Sequence, residues 1–254
     1  PTAAASSSET KPATGQAFVW PRATRVRYSL RGYFRGDVYG SAAVEWVREG
    51  MRYQVHVDAI IGPSFAPLGS WNLLSEGDIT PEGLSPLRFE QVDRLLIKSS
   101  KPRTVTFEAE EVVLDSGSRI PRLPGMQDLA SQLIQLSYQF ILNPGALSTG
   151  NTIEMPLALP KRQEIMAYDV IGEETLNTSK MGSIPVVHVK PRRIRDDKGG
   201  VLPGDIWFAP TLQYLPVRIL FRGKEDSYMD MQMDGPPQQV AAEGPSLPSS
   251  APPS

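Results

Sequence analysis

Two histidines, His56 and His188, are the only imidazoles in this chain, and cysteine is absent. Disulfides, thiolate metal sites and cysteine nucleophiles are therefore excluded. The histidines lie far apart, without an HExxH pattern or a paired partner, so no metal site is expected and no cofactor is called for. His56 falls on the polar parity of its strand and reads as an exposed residue. His188 follows Ile184 and Val186 on one strand face and reads as a hydrogen-bonded core histidine or a pocket-lining one. A nucleophilic serine needs a GxSxG elbow or a matched base; Gly145-Ala-Leu-Ser148-Thr-Gly150 resembles one only loosely, with the wrong spacing. Phosphate loops of the GxxxxGK[ST] or GxGxxG type do not occur. Glycoside hydrolysis requires two acids flanking a cleft. The acidic clusters are Glu108, Glu110 and Glu111, at strand edges, and Asp196 with Asp197, in a Lys198-Gly199-Gly200 loop. Both read as solvated surface, and no catalytic residue is expected.

Two basic groups offer a different chemistry, the attraction of an anion. Arg25, Arg27, Arg31 and Arg35 line the wet side of the first strand pattern, and Lys190, Arg192, Arg193 and Arg195 approach a loop. Either could take a phosphate or an anionic head group; a wet strand face is also simply charged. The net charge of −2 argues against a nucleic-acid binder.

These residues need elements to place them, and period-two alternation supplies most. Val26, Tyr28, Leu30 and Phe34 oppose Arg25, Arg27, Arg31 and Tyr33; Met51, Tyr53, Val55, Val57 and Ala59 oppose Arg52, Gln54, His56 and Asp58. Such alternation marks antiparallel strands with one face on a core and one in water. Residues 126–142 break it, with Leu129, Leu133, Leu136 and Phe140 at helical spacing beside Ala130, Ile134, Ser137 and Ile141, so this helix is expected to be buried. Pro124-Gly125 precedes it and Asn143-Pro144-Gly145 stops it. The expected fold is mainly β: a single antiparallel sheet of roughly ten strands curled into a half-barrel or open barrel around one buried helix. Three regions follow: a disordered tail over 1–17, one β-rich domain over 18–234, and a disordered Pro/Ser/Ala-rich tail over 235–254. No run of about 18 apolar residues exists to cross a membrane as a helix. Pro1 and the small, polar residues after it read as a trimmed N-terminus whose signal peptide or anchor has been removed.

Residues 205–222 are the most distinctive stretch: Ile206-Trp-Phe208, a turn with Pro210, then Val217, Ile219 and Phe221 alternating with Arg218, Leu220 and Arg222. Together with Tyr28-Ser-Leu-Arg-Gly32, Glu45-Trp46, Gly77-Asp-Ile-Thr-Pro-Glu-Gly-Leu-Ser-Pro-Leu-Arg-Phe89, Gln127-Asp128-Leu129 and Leu215-Pro-Val-Arg218, it resembles a bacterial family defined only as domain of unknown function 3108. That resemblance implies an exported, mostly periplasmic protein without an assigned reaction. A more distant similarity, to the Lol lipoprotein carriers, implies a half-barrel around a helix that receives acyl chains. Function does not follow from fold analogy.

The expectation is a non-enzymatic periplasmic protein that binds a hydrophobic or amphipathic ligand, or a lipidated peptide, in a curled sheet. The alternatives are an envelope scaffold that recruits another protein and, third, a hydrolase without a recognisable motif. The candidate lining residues are Trp46, Trp71, Leu133, Phe140, Trp207 and Tyr214, taken as core-parity side chains near an open end. Their rings pair apolar faces with a polar handle, which suits an amphipathic ligand.

Overall fold

The computed structural model describes residues 18–33, 36–63, 65, 67–95, 98–192, 204–222 and 227–241. The first alternating stretch forms β1 (Ala23–Tyr33), with Val26, Tyr28 and Leu30 buried and Arg25, Arg27 and Arg31 exposed. Successive side chains of a strand point to opposite faces, so this pattern commits one face to a core. The chain continues through β2 (Asp37–Glu49), β3 (Arg52–Ile61), β4 (Gly69–Thr80), β5 (Gly83–Leu95), β6 (Lys98–Ser99), β7 (Arg103–Phe107), β8 (Glu111–Val113) and β9 (Arg119–Pro121). Helix α1 (Ser131–Leu142) follows. Then come β10 (Thr152–Leu159), β11 (Arg162–Thr178), β12 (Gly182–Pro191), β13 (Asp205–Ala209), β14 (Leu215–Arg222), β15 (Tyr228–Met233) and β16 (Gln238–Val240).

All sixteen strands of the described residues belong to one antiparallel sheet, in the order β10-β11-β12-β13-β14-β15-β1-β2-β3-β4-β5-β7-β8-β9, with β16 attached to β1 and β6 to β5. The count exceeds the roughly ten expected from alternation. Strands of two or three residues, such as β6, β8, β9 and β16, are too short to show a period. β5 hides its pattern behind Pro86, which sits at a register shift opposite Gly77. Proline lacks the ladder donor, and a bulge accommodates it. β16 lies within the expected C-terminal tail, yet Gln238, Gln239 and Val240 pair with Arg25, Thr24 and Ala23.

The sheet curls around α1 but does not close. Gln135 of α1 bonds the β4–β5 turn, accepting from Leu84 N at 2.7 Å and donating to Glu82 O at 2.9 Å. On its other side Ser137 donates to Tyr214 O at 2.8 Å, just before β14. β5 and β14 are separated in the sheet by β15, β1, β2, β3 and β4, so only a strongly curved sheet brings both to one helix. No pairing joins β9 to β10. Instead Gln127 bridges to β10, through Gln127 N to Pro156 O at 2.9 Å and Ala158 N to Gln127 O at 2.8 Å. Gly83 permits this arrangement. Its φ is +112°, and Gln135 Oε1 stands 2.2 Å from where a Cβ would be.

The helix is shorter than the spacing predicts, beginning at Ser131 rather than 126. Asp128 stops it growing backwards. Its Oδ1 accepts from Ala130 N at 2.8 Å and Ser131 N at 2.9 Å, while its carbonyl takes Gln132 N at 3.1 Å. These bonds close the turn that leads into the helix, whose own cap position, Ala130, has no polar side chain to offer. The curl is filled rather than hollow: Tyr28, Val55, Phe89, Leu136, Phe140, Leu157, Phe208, Val217 and Ile219 are all buried in one core.

Antiparallel register gives the sheet two ends. At the helix end lie Ala23, Trp46, the β4–β5 turn and the β13–β14 turn; at the distal end lie Tyr33, Asp37, Ile61 and Tyr228. The eleven residues of β1 run between them, about 33 Å at a strand's rise.

Candidate functional site

At the helix end an apolar groove opens between α1 and the sheet rim. It is lined by Trp46, Thr24 and Leu215 from the sheet, Ile134, Tyr138 and Ile141 from α1, and Phe18, Trp20 and Pro21 from the chain before β1. Its enclosed part is small, about 40 Å³, and the rest is open to solvent. Ile134, Tyr138 and Ile141 share a helix face because residues four and three apart are neighbours.

Aromatic stacking builds its wall. The Trp20 ring lies between Trp46, centroids 4.8 Å apart, and Tyr138, 4.7 Å apart, each at 25°. Phe18 meets Trp20 edge-on at 5.3 Å, and Tyr53 backs Trp46 at 5.5 Å. The polar edges of Trp46 and Tyr138 are satisfied, as a buried tryptophan or tyrosine requires. Trp46 Nε1 donates to Pro21 O at 3.1 Å and Tyr138 OH to Pro81 O at 3.0 Å. At the mouth, Gln239 donates to Gln213 Oε1 at 2.9 Å. Gln213 and Tyr214 both adopt the left-handed backbone, with φ of 55° and 53°. Two such residues in succession are strained. The turn is held by Tyr214 N bonding Ala209 O at 2.9 Å and by Ser137 on its carbonyl.

Behind the stack runs a buried polar line. Tyr53 OH lies 3.0 Å from Ser75 Oγ, which donates to Asp128 Oδ2 at 2.6 Å. Burial pushes the Asp128 carboxyl up to about 6, against the lowering effect of its bonds from Ser75, Ser131 and Ala130. Burial also pushes the Tyr53 phenol well up, reinforced by the Asp128 charge. This line serves the helix start.

Of the six expected lining residues, the structure puts Trp46 in the groove wall. Phe140 lies deeper in the core, edge-on to Phe208 at 4.9 Å, with Tyr214 at 6.2 Å. Leu133 is half-buried on α1. Trp71 is on the inner face but toward the distal end, 6.4 Å from Phe221. Trp207 is not core-parity at all. Ile206 and Phe208 take the inner face of β13, and a register shift follows Trp207. Trp20, Tyr138, Ile134 and Ile141 were not among the expected residues. The run Phe18-Val19-Trp20-Pro21 at the end of a polar tail, and the Ile134–Tyr138–Ile141 spacing, were the signals for them.

Trp207 belongs to a second cluster, on the outer face. Its Nε1 donates to Glu174 Oε2 at 2.9 Å. His188 stacks on it at 4.3 Å and Arg218 lies over it at 4.6 Å. Glu174 Oε1 is 2.9 Å from His188 Nδ1, and the Trp207 bond leads in lowering the Glu174 carboxyl. His188 is therefore an outer-face histidine rather than a core one. Arg218 makes a two-pronged pair with Asp230, at 2.8 and 2.6 Å. Cross-strand neighbours connect in this way to stitch β11 through β15. Among the described residues no group of three or more His, Cys, Asp or Glu side chains is arranged to hold a metal ion. Arg25, Arg27 and Arg31 are exposed on the outer face, spread along β1 rather than gathered into a pocket; Arg35 lies outside the described residues. Among the described residues no helix is long and apolar enough to cross a membrane.

An open antiparallel sheet curled on one helix defines a β-barrel-like class of protein. One solved structure with this shape is a β-barrel-like protein of domain of unknown function DUF1849 from Brucella abortus, at 12% identity and TM-score 0.54, covering 87% of this chain and 99% of that one. The chain itself belongs to the family described as Protein of unknown function (DUF3108), whose model matches residues 27–228. A DUF1329 family protein from Desulfovibrio piger aligns at 10% identity over 89% of this chain and 88% of that one, with a TM-score of 0.30. No curated protein matches the chain.

Proposed function

We propose that this protein is a non-catalytic binding protein of the bacterial cell envelope, and that its groove takes the acyl chain of an amphipathic ligand or lipidated peptide. The observation that carries this reading is the groove itself. Its walls are Trp20, Trp46, Tyr138, Ile134, Ile141 and Leu215, and its mouth carries the amides of Gln213 and Gln239. Carbon-lined walls with a few polar groups at the opening fit a chain with a polar head. A periplasmic location belongs to the same proposal.

Titration of the folded protein with a fatty acid, a lysophospholipid and an acylated peptide tests it, because Trp20 and Trp46 report on the groove by fluorescence. A saturable change is expected, weakened about tenfold or more in Ile134→Arg, which places a charge at the half-buried wall. A flat response to all three overturns the proposal.

A second reading, an envelope scaffold, has its own support. β10 pairs with Arg162–Asp169 of β11, and no described strand pairs with that edge from Ile171 to Thr178. A free edge can accept a partner's strand, although Glu173 and Glu174 blunt it with charge.

A further inference from the structure

The exposed aromatic side chains of the described residues, Tyr33, Tyr39, Phe65 and Tyr228, all lie at the distal end. Register holds them together. Tyr33 faces Tyr228 across the β1–β15 pair, and Tyr39 faces Arg31 across β1–β2. The β3–β4 loop carrying Phe65 and Leu68 is anchored beside Tyr39, with Gly62 N on Tyr39 O at 2.6 Å and Leu68 N on Ile61 O at 2.8 Å. Phe65 is 89% exposed, and Leu68 adds another exposed apolar group.

We propose that this distal rim docks the protein on the surface of a lipid bilayer containing anionic lipid. Three observations select that partner. First, the rings decorate the outer side and tip of a curved sheet rather than lining a concavity, so they suit a flat, deformable surface better than a protruding peptide. Second, tyrosine pairs an apolar ring with a hydroxyl and is favoured at the level of lipid head groups, while Phe65 at a loop tip can enter the acyl boundary. Third, cations stand just behind the rings on the same face. Arg31 and Arg27 belong to β1, while Arg222, which faces Tyr228, is held by Asp205 at 3.2 Å. Asp230, which faces Arg31, is already engaged by Arg218. Asp37, Asp58 and Glu45 are acids of β2 and β3 on the same face, so aromatic insertion leads and charge adds a preference.

The surface is independent of the groove, which opens at the other end of β1. Flotation of the folded chain with phosphatidylcholine vesicles, with and without phosphatidylglycerol, tests it. The expected result is co-flotation with the phosphatidylglycerol vesicles, reduced about tenfold or more by Phe65→Ser with Leu68→Ser and by a smaller factor by Arg27→Ala with Arg31→Ala. Met51→Ser, which removes an exposed apolar group at the helix end, is expected to leave it unchanged. Three results overturn the proposal: no flotation with either vesicle, an unchanged Phe65→Ser and Leu68→Ser variant, or equal loss in Met51→Ser. The first of these would assign the rim to a protein partner.

Discussion

The two ends of the sheet carry similar side chains in opposite circumstances. At the helix end Trp20, Trp46, Tyr53 and Tyr138 stack into one block, and every phenol or indole edge in the Trp46–Tyr53–Tyr138 set has a hydrogen-bond partner. At the distal end Trp71 and Phe221 meet while half-buried, and Tyr33, Tyr39, Phe65 and Tyr228 face outward. The sequence composition of the two groups does not explain this. Two things differ: α1 gives the inner face a second layer at the helix end, and Tyr33, Tyr39 and Tyr228 stand on the outer face, which has no second layer to bury them.

The largest effect expected from this contrast is on stability. Phe140→Ala removes a ring buried between Phe208 and Tyr214 and should cost about 3–5 kcal/mol. Phe221→Ala, at the half-buried distal position, should cost no more than about half of that. Leu136→Ala should likewise exceed Leu133→Ala, since Leu136 is buried and Leu133 half-buried. Denaturant unfolding of the four variants checks the order. Equal losses at the two ends would break the comparison, because α1 would then not be what organises the core.

The next effect separates the ends by pH. Asp128 starts α1 from a buried site, and its carboxyl is raised from the ordinary carboxylate value to about 6. A raised folded value means that the folded state holds the proton more tightly than the unfolded chain. This contribution to stability is complete below about pH 4 and is lost as pH rises through about 6, a change of about 3 kcal/mol. Asp128→Asn keeps an oxygen for the Ala130 and Ser131 amides and should flatten the pH dependence of unfolding over that window. A slope unchanged in the variant would assign it to other groups.

How much of this was legible depended on which signal each element leaves in sequence. β1, β3 and the inner face of β14 were readable because one face is buried and the other wet, so Val26, Tyr28, Leu30, Val217 and Ile219 appear in their places. β5 was not, because Pro86 and its bulge interrupt the period. The helix was visible from its Leu129–Phe140 row, but its start was not. Asp128 sets it through a side chain whose geometry depends on Ser75 and Ser131. Trp207 was misplaced for a similar reason: all five residues of β13 are buried, so burial no longer reports parity. The groove needed Trp20, which reaches Trp46 and Tyr138 only once the sheet has curled, and no spacing rule encodes a contact of that kind.

A smaller effect concerns strain at the groove mouth. Gln213 holds a left-handed backbone without being glycine. Gln213→Gly should relieve that strain and raise stability by about 0.5–1 kcal/mol, read as a rise in Tm. The gain should come with weaker acyl-ligand binding, because the pair with Gln239 is lost. A fall in stability would show that the Gln213 side chain contributes more than its backbone costs.

The smallest stability effect belongs to the distal rim, and it sharpens the comparison most. Phe65 is almost wholly exposed in the β3–β4 loop, so Phe65→Ser removes little buried surface and should change stability by no more than about 0.5 kcal/mol. Trp20→Ala at the helix end is the matched substitution. It opens the stack between Trp46 and Tyr138 and should cost several times more. The two variants should then exchange ranks in function: Phe65→Ser impairs vesicle binding while leaving acyl-ligand titration intact, and Trp20→Ala does the reverse. Unfolding curves, flotation and fluorescence titration on the same preparations give the full set. If either variant damaged both activities while remaining folded, the ends would not be separate surfaces, and the division of the molecule into a groove end and a docking end would fail.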